Sequence, residues 1–233
     1  MLRSAADHYR AQQRRVAVTA AAGRREWDSS GADFDAGWAR VGPRIVTLMT
    51  AAQVGAARDG AAYVGQALEE QRVTVEPVAA VNVSRLVGAY SVDGQTLGDL
   101  GAVLYGAVVR ARTAPAESLG DRLAAGRSWL DMATVTQVAD AGRAATGVGI
   151  AARPGVGYVR MVHPGCCQRC AVLAGKSSRS IAFPRHPGCQ CRAVPTGEHP
   201  QGDLVEAIEA KDVRDLTKAQ RKAIADGADM NQV

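Results

Sequence analysis

The chain has 233 residues, 47% of them from the AVILMFWYC set but only 4% aromatic, with a formal net charge of +5. That length is enough for a hydrophobic core in one or two domains, and an apolar content made of Ala, Val and Leu favours close-packed helices over a large sandwich core. No run of about 18 apolar residues occurs, which excludes a transmembrane helix, and the charged, amphipathic stretch Met1 to Arg15 lacks the apolar segment of a secretion signal.

Residues 4–22 contain no Gly or Pro and are followed by Gly23, which predicts a helix with Arg10, Arg14 and Arg15 on its polar side. From Pro43 to Gln71 the apolar residues Val46, Met49, Val54, Ala57, Ala61, Val64 and Leu68 recur at helical intervals, and Pro43 suits a first helical turn. Val73 to Val83 reads as an extended linker or loop, since Pro77 has no N–H to give and Glu76 precedes it. Leu97, Leu100, Val103, Leu104 and Val108 form a second helical stripe, and Leu119, Leu123, Trp129, Leu130, Met132, Val135 and Val138 a third. Interior glycines cost about 1 kcal/mol each against Ala, so these helices depend on packing, which small residues also permit at close range.

The expected class is therefore mainly α, with an N-terminal helical domain and a small α+β C-terminal domain that the cysteine cluster from Cys166 to Cys191 would staple with zinc. The expected boundaries are a helical domain over 1–145, a Gly-rich linker over 146–156 and, given that cluster, a zinc-binding domain over 157–233. The Gly-rich stretch lacks the G-x-x-x-x-G-K-[ST] pattern of a phosphate loop. Tyr158 to Val162 alternates as a short strand. In the tail, Leu204, Val205 and Ile208, then Leu216, Ala219 and Ile224, predict two short helices on either side of Val213 to Thr217, with Thr217 as an N-cap.

Charge is uneven along the chain. Residues 1–150 carry 16 basic and 15 acidic side chains, residues 151–199 carry seven and one, and residues 200–233 carry five and seven. The positive excess thus sits with the five cysteines, which occupy only the segment from Cys166 to Cys191. In a chain without a secretion signal such bunching reads as metal ligation before it reads as disulfides.

Cys167 and Cys170 have the C-x-x-C spacing that turns two thiolates toward one ion, and His186, Cys189 and Cys191 follow fifteen residues later, room enough for a turn or two of helix and a reversal. Adjacent side chains diverge, so of Cys166 and Cys167 only the latter is expected to coordinate. The candidate ligands are Cys167, Cys170, His186, Cys189 and Cys191. Cys167, Cys170, His186 and Cys191 form the preferred tetrahedron, with Cys189 the rival.

A redox C-x-x-C would stand at a helix N-terminus in a βαβ context, which is missing, and would leave the second group unexplained. Disulfides would leave one of five cysteines over. Catalytic zinc keeps an open position beside a general base, whereas here protein ligands are in excess and Glu198 is the one nearby acid. His8, His163 and His199 have no Ser or Cys partner at nucleophilic spacing, so no catalytic residue is assigned.

Pro164-Gly165-Cys166-Cys167-Gln168-Arg169-Cys170-Ala171-Val172-Leu173-Ala174-Gly175, followed by Arg185-His186-Pro187-Gly188-Cys189-Gln190-Cys191, resembles the Mu F-like minor capsid (head morphogenesis) family of tailed phages. The tail from Leu216 to Gln220 and from Ala228 to Val233 is similar to the end of that domain in actinobacteriophage members. The resemblance spans about residues 155–233, and Cys166 departs from the family pattern, in which a small residue precedes the first ligand. It implies a non-enzymatic virion component with structural zinc, bound to the portal protein or the inner capsid face with the major capsid protein as a further partner, assembled in the host cytoplasm and acting in head assembly or genome delivery. The competing expectation is a zinc-dependent nucleic-acid-binding module that contacts packaged DNA through the basic stretch Arg153 to Arg192.

Overall fold

The computed structural model describes residues 1–92, 95–115, 118–179, 183–198 and 204–230. His199 and the final residues 231–233, both touched on above, lie outside the described residues. Four long helices form the body: α1 (Arg3–Asp28), α2 (Phe34–Glu70), α3 (Leu100–Thr113) and α4 (Leu119–Ala151). A hairpin, β1 (Ala89–Val92) with β2 (Gln95–Asp99), precedes α3. The C-terminal lobe holds β3 (Gly157–Met161), the one-turn helix α5 (Gln168–Ala171), β4 (Ser177–Ser178), β5 (Arg192–Thr196) and α6 (Lys218–Ala225). The chain is therefore mainly helical, with a small antiparallel sheet of order β4-β3-β5.

Caps set most helix starts as the local sequence dictates. The Asp33, Asp99, Ser118 and Thr217 side chains each accept a backbone N–H from the first turn of α2, α3, α4 and α6. At α6 the cap is reciprocal, because the Thr217 N–H is answered by the Gln220 side chain.

Three helices extend past their expected ends, each because burial outweighs a local breaker. α1 runs through Gly23 to bring Trp27 into the core, where its indole N–H donates to Leu123 O at 2.9 Å and its ring stacks on Phe34. α2 begins at Phe34, so Pro43 lies inside the helix and not in its first turn. Asp33 caps that earlier start, and Phe34, Val41 and Ile45 are buried around the proline. α4 continues to Ala151, so the first six residues of the expected 146–156 linker complete a helix; Thr146 and Ile150 are buried there, and Thr146 bonds to Gly60 O and Gly142 O. Leu97, expected in the second helical stripe, falls in β2.

Side-chain pairings fix the directions. Arg3 N–H donates to Glu70 and Glu26 pairs with Arg44, so α1 runs antiparallel to α2. Trp129 donates to Val103 O and Arg122 to Ala111 O, so α3 runs antiparallel to α4. α2 and α4 cross closely at glycines: a Cβ on Gly60 would come within 2.4 Å of Gly142 O. The bundle core contains Trp27, Val41, Ile45, Met49, Leu104 and Val138.

The sheet does not stand apart from the bundle. All residues of β3 and β5 are buried. Val159, Met161 and Val194 pack with Ala5, Tyr63 and Ala67, while Tyr158 and Ala193 pack with Val64, Leu68 and Ile150. The C-terminal half of α2 thus supports both sets of strand residues. Among the described residues no helix is long and apolar enough to cross a membrane.

Candidate metal centre

β3 delivers the chain into a turn at His163 to Cys166, where Gly165 has φ +84, a conformation that only glycine adopts without strain. Cys166 then pairs its backbone with Val213, and Arg214 N–H donates to Cys166 O at 2.9 Å. Cys167 is the N-cap of α5. Its carbonyl accepts from the N–H groups of Cys170 and Ala171, both at 3.0 Å, so one helical turn brings Cys167 and Cys170 to the same side. Asp215 accepts from Gln168 N–H at 2.6 Å, tying the C-terminal segment to the start of that turn.

The opposite side of the centre is a second turn. Cys189 N–H donates to His186 O at 3.0 Å, with Gly188 at φ +74, and Gly188 N–H donates to Thr136 Oγ1 of α4 at 2.8 Å. His186 Nδ1 lies 2.9 Å from Pro187 O, which fixes the proton on Nδ1 and leaves Nε2 as a ligand atom. Nε2 faces the sulfurs, 3.2 Å from Cys167 Sγ and 3.4 Å from Cys170 Sγ. Cys170 Sγ is in turn 3.8 Å from Cys189 Sγ.

The five candidate ligands therefore come together as two groups that share Cys170: Cys167, Cys170 and His186 in one, and Cys170, Cys189 and Cys191 in the other. In each group the ligand atoms lie within 4.8 Å of one another, and either group can hold a metal ion. Both Cys189, the expected rival, and Cys191 share a group with Cys170. Cys166 belongs to neither group. It is buried, its thiol pushed up to about 11 by burial and by the neighbouring Cys191 and Cys167. All five cysteines are free of disulfides.

Burial without countercharge would hold every thiol neutral. Here Cys189 is drawn well below the ordinary thiol range by hydrogen bonds from Cys170 and Cys191 and by the Arg143 charge. Cys170 is pushed up by those bonds to Cys189 and Cys191 and by burial.

Sequence patterns of cysteine and histidine left out the charged residues around the centre. Arg160 of β3 is 3% exposed; its Nη2 lies 3.5 Å from Cys170 Sγ and 3.9 Å from Cys189 Sγ, and its Nη1 donates to Pro184 O at 2.8 Å. Its guanidinium stacks on Phe183 at 4.2 Å. Burial works against the charge, but the sulfurs of Cys191, Cys170 and Cys189 outweigh it and raise the Arg160 pKa. Arg143 of α4 donates to Cys189 O and Cys191 O, and pairs with Asp140, which also binds Arg185. Arg192 is fully enclosed; burial, then Arg143, lowers its pKa to about 10, which still leaves it charged at neutral pH. The strand alternation around Arg160 was the available signal, since in a buried strand a charged side chain needs a partner.

The basic excess of residues 151–199 is thus directed largely inward. Arg160 and Arg192 are buried, Arg153 is half-buried and donates to Val75 O and Gly149 O, and Arg185 pairs with Asp140. Arg169, Lys176 and Arg179 are exposed, and Arg179 pairs with Glu198.

No protein-family model, curated protein or solved structure matches the chain, and the centre is read from its own residues.

Proposed function

We propose that this chain is a structural, non-enzymatic minor capsid protein of a tailed phage, bound to the portal or inner head, in which one zinc ion staples the C-terminal lobe to a helical bundle. The observation that carries the reading is the convergence of the C-x-x-C turn and the H-P-G-C-x-C turn, the two motifs that resemble the Mu F-like family, on one buried centre.

The donor set suits zinc. Four ligands at Zn–S ~2.3 Å and Zn–N ~2.0–2.1 Å define a tetrahedron with S···S edges of about 3.8 Å and S···N edges of about 3.6 Å. The Cys170 to Cys189 separation of 3.8 Å equals the first, and the His186 contacts at 3.2 and 3.4 Å lie close to the second. Thiolate and imidazole donors without a carboxylate among them favour zinc over the hard cations. Cys167, Cys170, His186 and one of Cys189 and Cys191 would hold it, and bound zinc would supply cross-linking between the two turns. A surplus of protein ligands around a buried position supports a closed, structural site.

A nucleic-acid role draws on the net charge of residues 151–199, and the inward placement of four of its seven basic side chains weakens that support. The portal role is tested by co-expressing the tagged full chain with the head proteins of its phage. Retention of the portal protein on the tagged chain, and recovery of the chain in intact particles, are expected. Recovery of neither would overturn the reading, and a steep loss of DNA affinity with salt would favour nucleic acid instead.

A further inference from the structure

Three arginines, Arg143, Arg160 and Arg192, are buried about the cysteine turns, and Asp140 is the single buried carboxylate among the described residues. Asp140 already answers Arg143 and Arg185. A buried guanidinium needs a nearby anion, so the remaining positive charge requires anionic sulfur. Arg160 is the one whose N–H groups point at sulfur: Nη2 reaches both Cys170 Sγ and Cys189 Sγ, while Phe183 on one side and Pro184 O on the other hold the guanidinium in place. Cys191 offers its carbonyl to Arg143 and Arg192.

We infer that Arg160 is the positioning residue of the metal centre, fixing Cys170 and Cys189 as metal-bound thiolates by sharing one guanidinium N–H group between them. This rests on the metal reading above and deepens it: Cys189 takes the fourth position, and the centre is an anionic one of three thiolates and His186. An N–H bond to a bound thiolate holds its orientation and offsets its charge, and loss of such a supporting contact typically costs ~10–100-fold in metal affinity.

The test uses the full chain as wild type, Arg160→Gln and Arg160→Lys, with zinc affinity measured by competition against a chromophoric chelator. Arg160→Gln should bind zinc ~10–100-fold more weakly, and Arg160→Lys, which keeps the charge, should recover most of the loss. With cobalt(II) in place of zinc, the thiolate-to-metal absorption should move to longer wavelength in Arg160→Gln, a change that lost packing alone would not produce. Unchanged affinity and absorption in Arg160→Gln would overturn the inference. Equal losses in the two variants, or loss of the helical circular dichroism in Arg160→Gln, would also overturn it by showing a packing role. A wild-type chain that binds neither metal would overturn the metal reading itself, a result separable from all of these.

Discussion

Cys166 and Cys167 are neighbours in sequence, yet the fold gives them different work. Cys167 caps α5 and faces His186, whereas Cys166 pairs its backbone with Val213 and joins neither ligand group. Replacing Cys170, the sulfur common to both groups, by Ser should therefore abolish stoichiometric zinc binding, because structural zinc contributes ~10–16 kcal/mol of apparent binding free energy in small peptides. Cys166→Ser should keep the metal and cost about 0.5–3 kcal/mol, as ordinary buried substitutions do. Chelator titration with limited proteolysis of residues 155–233 compares them; equal metal loss would place Cys166 among the ligands. The ligand candidates were legible because thiol and imidazole spacing is a chemical signature. Which of Cys189 and Cys191 completes the set was not, because local spacing carries no trace of Arg160, which β3 brings beside Cys170 and Cys189.

A second residue-scale prediction concerns His8, which is 7% exposed and stacked on Tyr63 at 4.2 Å. Burial, then the Arg192 charge, lowers its pKa from 6.5 to about 3. The unfolded chain thus takes up this proton before the folded one, so the contribution to stability is complete above pH 6.5 and is lost as pH falls from 6.5 toward 3. Between pH 7 and pH 5 this one group should cost ~2 kcal/mol. His8→Phe retains a stacked ring without the titration. Urea unfolding at the two pH values should show the variant losing about 2 kcal/mol less than the wild type, and parallel losses would contradict the assignment.

At the scale of elements, close approach of α2 and α4 depends on Gly60. An added Cβ would meet Gly142 O at 2.4 Å and Thr146 Oγ1 at 3.1 Å, and backbone cannot move aside as a flexible side chain can. Gly60→Ala should destabilise by ~1–3 kcal/mol through overpacking, despite the gain of about 1 kcal/mol in helix propensity. Gly23→Ala, with nothing within 4 Å of the new Cβ, should stabilise by about 0.5–1 kcal/mol. Opposite signs in thermal unfolding are the expected result; the same sign in both would contradict the close crossing. These glycines also show why helix ends were less legible than helix existence. The stripes Leu100 to Val108 and Leu123 to Val138 record the core, whereas Leu119 is exposed; continuation of α1 past Gly23 and of α4 past Arg143 depends on Trp27, Thr146 and Ile150 finding partners far away in sequence. The Thr217 cap was readable since its partner Gln220 is three residues on. β5 was not, because Pro195 interrupts the strand pattern and pairing with β3 supplies what local propensity lacks.

For the whole molecule, the bundle core and the metal centre are separate clusters joined by α4. The bundle core contains no cysteine, whereas the cysteines pack with Ala171, Val213 and Leu216. Arg143, Thr136 and Asp140 of α4 bind the 185–191 turn to the bundle. Removing the metal with chelator should therefore leave the helical circular dichroism of α1 to α4 nearly intact while exposing residues 163–191 to protease. Cooperative loss of both would show that metal and bundle fold as one unit. The central claim, a thiolate-rich centre that holds one zinc, is tested most directly by elemental analysis with thiol titration of protein purified without chelator. One zinc per chain and no disulfide is the predicted result; well below one zinc per chain, with the thiols found in disulfides, would contradict it.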